Sequence, residues 1–205
     1  PADAEAVSTG VIGESSSYQG VPNEYRHILD DLYLLSEHVY REEPLDSVLE
    51  EIGFVEYPRD GKLAYAVIDI NNDEIPELLL GTIDGLKDSA PNSIFTLKDG
   101  KPILLTSFWS RSSGVISADG TIYSVGSGGA AYTYLSSFRL DKNADTLTQL
   151  TDIHSDFSAS EEKIFFIQVV DDRNHYITEK TFWDFYEKYY SPSETMELAI
   201  IPISN

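Results

Sequence analysis

From residue 54 onward this chain alternates short β-rich segments with tight-turn signals, and that alternation constrains the fold more than any other feature of the sequence. Segments 63–70 and 75–83 flank an acidic loop. Segments 93–97 and 103–108 flank Asp99-Gly100, and segments 115–117 and 121–125 flank Asp119-Gly120. Asp-Gly between apolar runs is a strong hairpin signal, because both residues tolerate the left-handed backbone that a two-residue turn requires. Segments 131–140 and 146–153 flank the longer turn Asp141-Lys-Asn-Ala-Asp145, and segment 163–170 runs into the turn Asp171-Asp-Arg-Asn174. Two-residue connections join only antiparallel strands. The expected core is therefore an antiparallel β-meander sheet.

Helices are expected at both ends of this β region. Tyr25, Ile28, Leu29, Leu32, Leu35 and Val39 recur at spacings of three and four, the stripe of an amphipathic helix over 23–42, with Asn23 able to cap its start. Pro44 then breaks the helix and opens a second one whose stripe is Leu45, Val48, Leu49 and Ile52, ended by Gly53. Near the C-terminus, Thr178 can cap a helix over residues 179–190 with Phe182, Phe185, Tyr186 and Tyr189 on one face, and Pro192 lies beyond its end. A closing strand is expected at 197–203. The fold class is thus α+β: one antiparallel meander with two N-terminal helices and one C-terminal helix packed on it. Residues 1–20, small, acidic and Gly/Ser-rich, read as a flexible linker, and 21–205 as a single domain (helical over 23–52, β-rich over 54–177).

Composition narrows the function classes. Lys and Arg number 14 against 35 Asp and Glu, a formal net charge of -21. That field repels phosphate backbones and anionic lipid, so nucleic acid is not an expected partner, and it attracts cations. No apolar run is long enough to insert in a membrane. With no cysteine, disulfide frameworks, thiolate zinc sites and Cys nucleophiles are excluded. The opening Pro1-Ala-Asp-Ala-Glu-Ala shows no signal peptide, so any lipid or wall anchor is expected upstream of it.

One stretch has the spacing of coordination chemistry: Asp69-x-Asn71-x-Asp73-x-Ile75-x-Glu77, between two apolar strands. Oxygens at alternate positions around a tight turn can converge on calcium, which takes six to eight of them at about 2.3–2.6 Å. Asp69, Asn71, Asp73 and Glu77 would contribute side chains and Ile75 its carbonyl. An EF-hand is disfavoured: Glu74 stands at the sixth position where Gly eases the turn, Leu80 stands where a bidentate Glu belongs, and the flanks are strands. The same stretch also reads as a polar hairpin turn with Asn71-Asn72 at its tip and Asp69 bonding backbone amides.

Other features carry weaker signals. Gly126-Ser-Gly-Gly129 precedes a β-like segment, so it reads as a glycine-rich turn or bulge rather than a phosphate loop. Asp152-Ile-His154-Ser-Asp156 places two acids and a histidine on one strand face, a motif for a hydrolase or simply a solvated strand end. Phe108-Trp109, Tyr132, Tyr134, Trp183 and Tyr186 are candidates for stacking on sugar rings, or for filling a core.

The acidic loop resembles the strand–loop–strand calcium motifs of FG-GAP repeats. Three segments in order, Tyr65-Ala-Val-Ile-Asp-Ile-Asn-Asn-Asp-Glu-Ile-Pro-Glu-Leu-Leu-Leu80, Ser93-Ile-Phe-Thr-Leu-Lys-Asp-Gly-Lys101 and the stretch opening Tyr176-Ile-Thr-Glu179, resemble uncharacterised exported proteins and lipoproteins of Gram-positive gut bacteria. Those carry D-x-[DN]-x-D-G-x-P-E-L, then hairpins, then I-[ST]-x-x-x-[FY] opening a late helix; Glu74 replaces their usual Gly. The resemblance implies a secreted or surface-anchored domain. The leading expectation is a noncatalytic binding module with a structural calcium ion at 69–77 and a protein or glycan partner at the cell surface. The alternatives are a carbohydrate- or cell-wall-binding domain using exposed aromatics near Trp109 and Tyr132, and a hydrolase with a carboxylate or Ser/His site.

Overall fold

The computed structural model describes residues 18, 20–37, 46–56, 58, 62–129, 131–142, 145–158 and 162–203. The expected linker lies almost wholly outside these residues, as do Val39 and Pro44 of the helical region. Among the described residues the chain is mainly antiparallel β, with eleven strands in two sheets and a few helices. The single meander of the sequence reading is corrected to two sheets.

The first sheet is built from β1 (Leu63–Ile68), β2 (Glu77–Thr82), β3 (Ser93–Lys98), β4 (Lys101–Ser107) and β11 (Ile201–Pro202), in the order β11-β1-β2-β3-β4. The second runs β10-β9-β8-β7-β6-β5, from β5 (Ser112–Ile116), β6 (Ile122–Gly129), β7 (Tyr132–Leu140), β8 (Leu147–Ser158), β9 (Lys163–Val170) and β10 (Arg173–Ile177). Neighbours in sequence are neighbours in each sheet from β1 to β4 and from β5 to β10, as successive hairpins require. The meander breaks in one place. After β4, Trp109 and Ser112 exchange backbone hydrogen bonds of 2.8 and 2.7 Å, and this tight turn carries the chain from one sheet to the other.

Both faces of the first sheet are covered. On one, Leu63, Tyr65, Leu78, Leu80 and Phe95 pack against Tyr25, Ile28, Leu29, Leu32 and Leu35. These come from a 3-10 turn (Asn23–Tyr25) and α1 (Arg26–Glu37), and they are the stripe that the helical spacing marked. The short α2 (Asp46–Glu51) adds Val48 and Leu49 to the same cluster. On the other face Ala64, Ala66, Leu79 and Ile94 meet Phe108 of the crossing segment and Ile116 and Ile122 of the second sheet. Between β2 and β3, α3 (Ile83–Lys87) is capped by Thr82, whose hydroxyl accepts from the Gly85 N–H at 3.0 Å, and it buries Leu86. The sequence reading missed this helix.

The second sheet is covered on one face by α4 (Glu179–Tyr190), where Phe182 and Tyr189 pack on Val125, Leu135 and Ile153. Thr178 caps α4 as expected, accepting from the Thr181 N–H at 3.1 Å. Past α4 the chain returns to the first sheet. Met196 N–H donates to the Ile116 carbonyl at 3.0 Å, and Ile203 N–H to that of Leu63 at 3.0 Å. Only Ile201–Pro202 of the expected closing strand is paired as a strand; residues 194–200 instead stitch the sheets together. Among the described residues no helix is long and apolar enough to cross a membrane.

Candidate functional site

The acidic loop occupies the joint between the sheets. Asp69 folds it: one carboxylate oxygen accepts from the Asp73 N–H at 3.1 Å and the other from the Glu74 N–H at 2.9 Å. Asp73 then accepts from the Ile75 N–H at 2.9 Å. Asn72 and Glu74 take positive φ angles of 59° and 71°. Glu74 thereby adopts the sharp-turn conformation that a glycine would take more easily at this sixth position. The amide binding by Asp69 matches the polar-turn reading.

Asn71 is held between two acceptors, its amide nitrogen donating to Asp73 Oδ2 at 2.9 Å and to the Asp141 carbonyl at 3.0 Å. Its Oδ1 is buried and accepts from no donor among the described residues. A buried acceptor without a donor costs about 1–3 kcal/mol. Asp141 belongs to the β7–β8 turn, 70 residues away in sequence, and Lys142 of that turn donates to the Asn72 carbonyl at 3.4 Å. On another side the β5–β6 turn abuts the loop so closely that a Cβ on Gly120 would lie 2.5 Å from the Ile70 carbonyl oxygen. Two turns of the second sheet therefore grip a loop of the first. Nothing in the local sequence signals these contacts.

Glu77 faces inward. It opens β2 on the face of Leu79, so its side chain lies between the sheets and is wholly buried. Its oxygens accept from the Ile70 N–H and the Thr96 hydroxyl, each at 2.9 Å. Burial, which disfavours the charged form, pushes its carboxyl up from 4.5 to about 7, against the pull of these hydrogen bonds and with help from Asp73 and Asp69. Among the described residues no three His, Cys, Asp or Glu side chains converge as a ready metal-binding group.

The other sequence candidates separate. Asp152, His154 and Asp156 do share a face of β8, the one away from α4, and His154 Nδ1 lies 3.5 Å from Asp152 Oδ1. Ser155 points the other way, donating to the Ala131 carbonyl at 2.9 Å, so it is not the hydroxyl of a triad on this face. Gly126–Gly129 is the end of β6, with a bulge between Ser127 and Gly129. Of the aromatics, Phe108 is buried, while Trp109, Tyr132, Tyr134 and Trp183 are exposed.

Trp109 lines a cleft of about 530 Å³ beside the turn that joins the sheets. Glu56 and Asn92 line it too, together with serines of the turn and of β5. The sequence reading marked Trp109 but none of these partners, which come from three distant segments. In comparisons with known proteins the chain matches no family model, no curated protein and no solved structure.

Proposed function

We propose that this chain is a noncatalytic binding module of the cell exterior, secreted or surface-anchored, whose 69–77 loop holds a structural calcium ion. Its architecture is α+β, with the two N-terminal helices and α4 packed on the sheets as supports for that loop and for an exposed binding surface.

The observation that carries the calcium reading is Asn71 Oδ1, a buried acceptor without a donor among the described residues, in a loop rich in carboxylate and carbonyl oxygens. A hard cation satisfies such an atom, and calcium accepts amide and backbone carbonyl oxygens beside carboxylates. Asp69, Asn71 and Asp73 would hold the ion through side chains and Ile75 through its carbonyl. Glu77, its oxygens already accepting from Ile70 and Thr96, retains lone pairs and would act through water, a common arrangement at the ninth position. The ion would neutralise Asp69 and Asp73 where two turns of the second sheet converge. Its role is to lock the sheets in register, and the net charge of -21 favours its capture.

The test is calorimetric titration of the metal-stripped protein with calcium. One site is expected, weakened at least about tenfold in Asp73→Ala. Heat from a single site that persists unchanged in Asp73→Ala would place the ion elsewhere, and no binding up to millimolar calcium would leave the loop a polar hairpin.

A further inference from the structure

We propose that the cleft beside Trp109 binds a neutral saccharide. This rests on reading the chain as a binding module, and it names the ligand class and the place. It does not depend on calcium at the 69–77 loop.

The cleft's volume of about 530 Å³ falls in the range of small-molecule sites. Its rim is preorganised. The reciprocal hydrogen bonds of Trp109 and Ser112 fix the turn, and Glu56 Oε1 accepts from the Ser110 N–H at 2.9 Å, tying the turn to the segment after α2. Its floor is shaped by Phe108, which lies so close on β5 that a Cβ at Gly114 would come within 2.2 Å of the ring. Trp109, which lines the same cleft, is 41% exposed, so its aromatic side chain offers an apolar surface to solvent there.

The chemistry of the lining selects the ligand. Asn92 and Ser112 line the cleft, Ser112 on the same face of β5 as Gly114, and neither side chain has a hydrogen-bond partner among the described residues or leaves a buried polar atom unsatisfied. They are donors and acceptors open to a ligand. Among the described residues no Lys, Arg or His lines the cleft, Glu56 does, and the chain carries a net charge of -21, which disfavours phosphates and uronates. A purely apolar ligand would strand the amide and hydroxyls without partners. A sugar ring fits both demands: its C–H face packs on the indole, and its hydroxyls reach Asn92, Ser112 and the Glu56 carboxylate.

The experiment is native affinity electrophoresis of the intact protein in gels containing β-glucan, xylan, mannan or starch, with polygalacturonate as the anionic control. Wild type and Trp183→Ala, which alters an exposed tryptophan that does not line the cleft, should be retarded by at least one neutral polysaccharide. Trp109→Ala should lose about tenfold or more in affinity with an unchanged melting temperature. Asn92→Ala, which leaves the turn intact, should weaken binding as well. The proposal is overturned by no retardation in any neutral gel, by retardation that survives Trp109→Ala, or by retardation in polygalacturonate alone. New reducing ends in a gel that retards the wild type would overturn the noncatalytic reading while leaving the sugar site standing.

Discussion

The two sheets solve the same problem differently. Along β1 the first four residues are buried and along β2 the first five, because helices cover one face of this sheet and the second sheet covers the other. In the second sheet α4 covers one face, while the first sheet covers only the end of the other face around Ile116 and Ile122. Beyond that contact Tyr134, His154, Ile167 and Tyr176 lie in register across four strands, and although Ile167 is buried, Tyr134 and Tyr176 are 47% and 73% exposed. A sheet buried on both sides concentrates stability. A sheet with one open side can carry polar and aromatic groups at little cost to folding. The candidate sites lie where the two meet: the 69–77 loop on one side of the joint and the Trp109 cleft at the crossing turn.

The largest expected effect separates the sheets directly. Leu79→Ala removes a wholly buried side chain between them and should cost about 2–5 kcal/mol in denaturant unfolding. Tyr134→Ala on the open face should cost about 0.5 kcal/mol or less. Comparable losses at the two positions would break the contrast.

Next in size is the acid between the sheets. Between pH 4.5 and 7 the folded state holds a proton on Glu77 that the unfolded chain has released. This contribution to stability is complete below 4.5 and is lost as pH rises through 7, by about 1–3 kcal/mol. Glu77→Gln keeps the shape without the charge. In chelator, its stability relative to wild type should rise by that amount from pH 4.5 to 8. A difference that stays flat with pH would mean that Glu77 is solvated or already charged when folded. A smaller effect tests the covering of the second sheet: Thr178→Ala should cost about 1 kcal/mol by removing the α4 cap, read in thermal or denaturant unfolding.

The local elements were legible in the sequence where one short-range signal sufficed. The stripe Tyr25, Ile28, Leu29, Leu32, Leu35 is buried as its spacing implied, and α4 occupies the predicted residues Glu179–Tyr190. Asp99-Gly100 turns with both residues at positive φ, as its chemistry demands. The division into two sheets was not legible. Hairpin signals specify which strands are neighbours, but a four-residue turn such as Trp109–Ser112 can continue a sheet or leave it, and tertiary packing decides which. The short α3 escaped because Ile83–Lys87 is too brief to show a helical period. At the candidate sites the chain positions of Asp69, Asn71 and Asp73 were readable, and so was their turn. The grip of Asp141 and Gly120 on that loop was not, nor was the gathering of Glu56 and Asn92 around Trp109, because these contacts join segments with no pattern in common. Glu77 had a local clue: it shares strand parity with Leu79, which marks it for the interior.

The most direct test of the central claim is thermal unfolding of the metal-stripped protein with and without calcium, with magnesium as the control. At calcium about a hundredfold above its dissociation constant, the account predicts a rise in midpoint of about 5–10 °C, absent with magnesium and absent in Asp73→Ala. An unchanged midpoint in millimolar calcium, or an equal rise with magnesium, would contradict a calcium ion locking the two sheets at this loop.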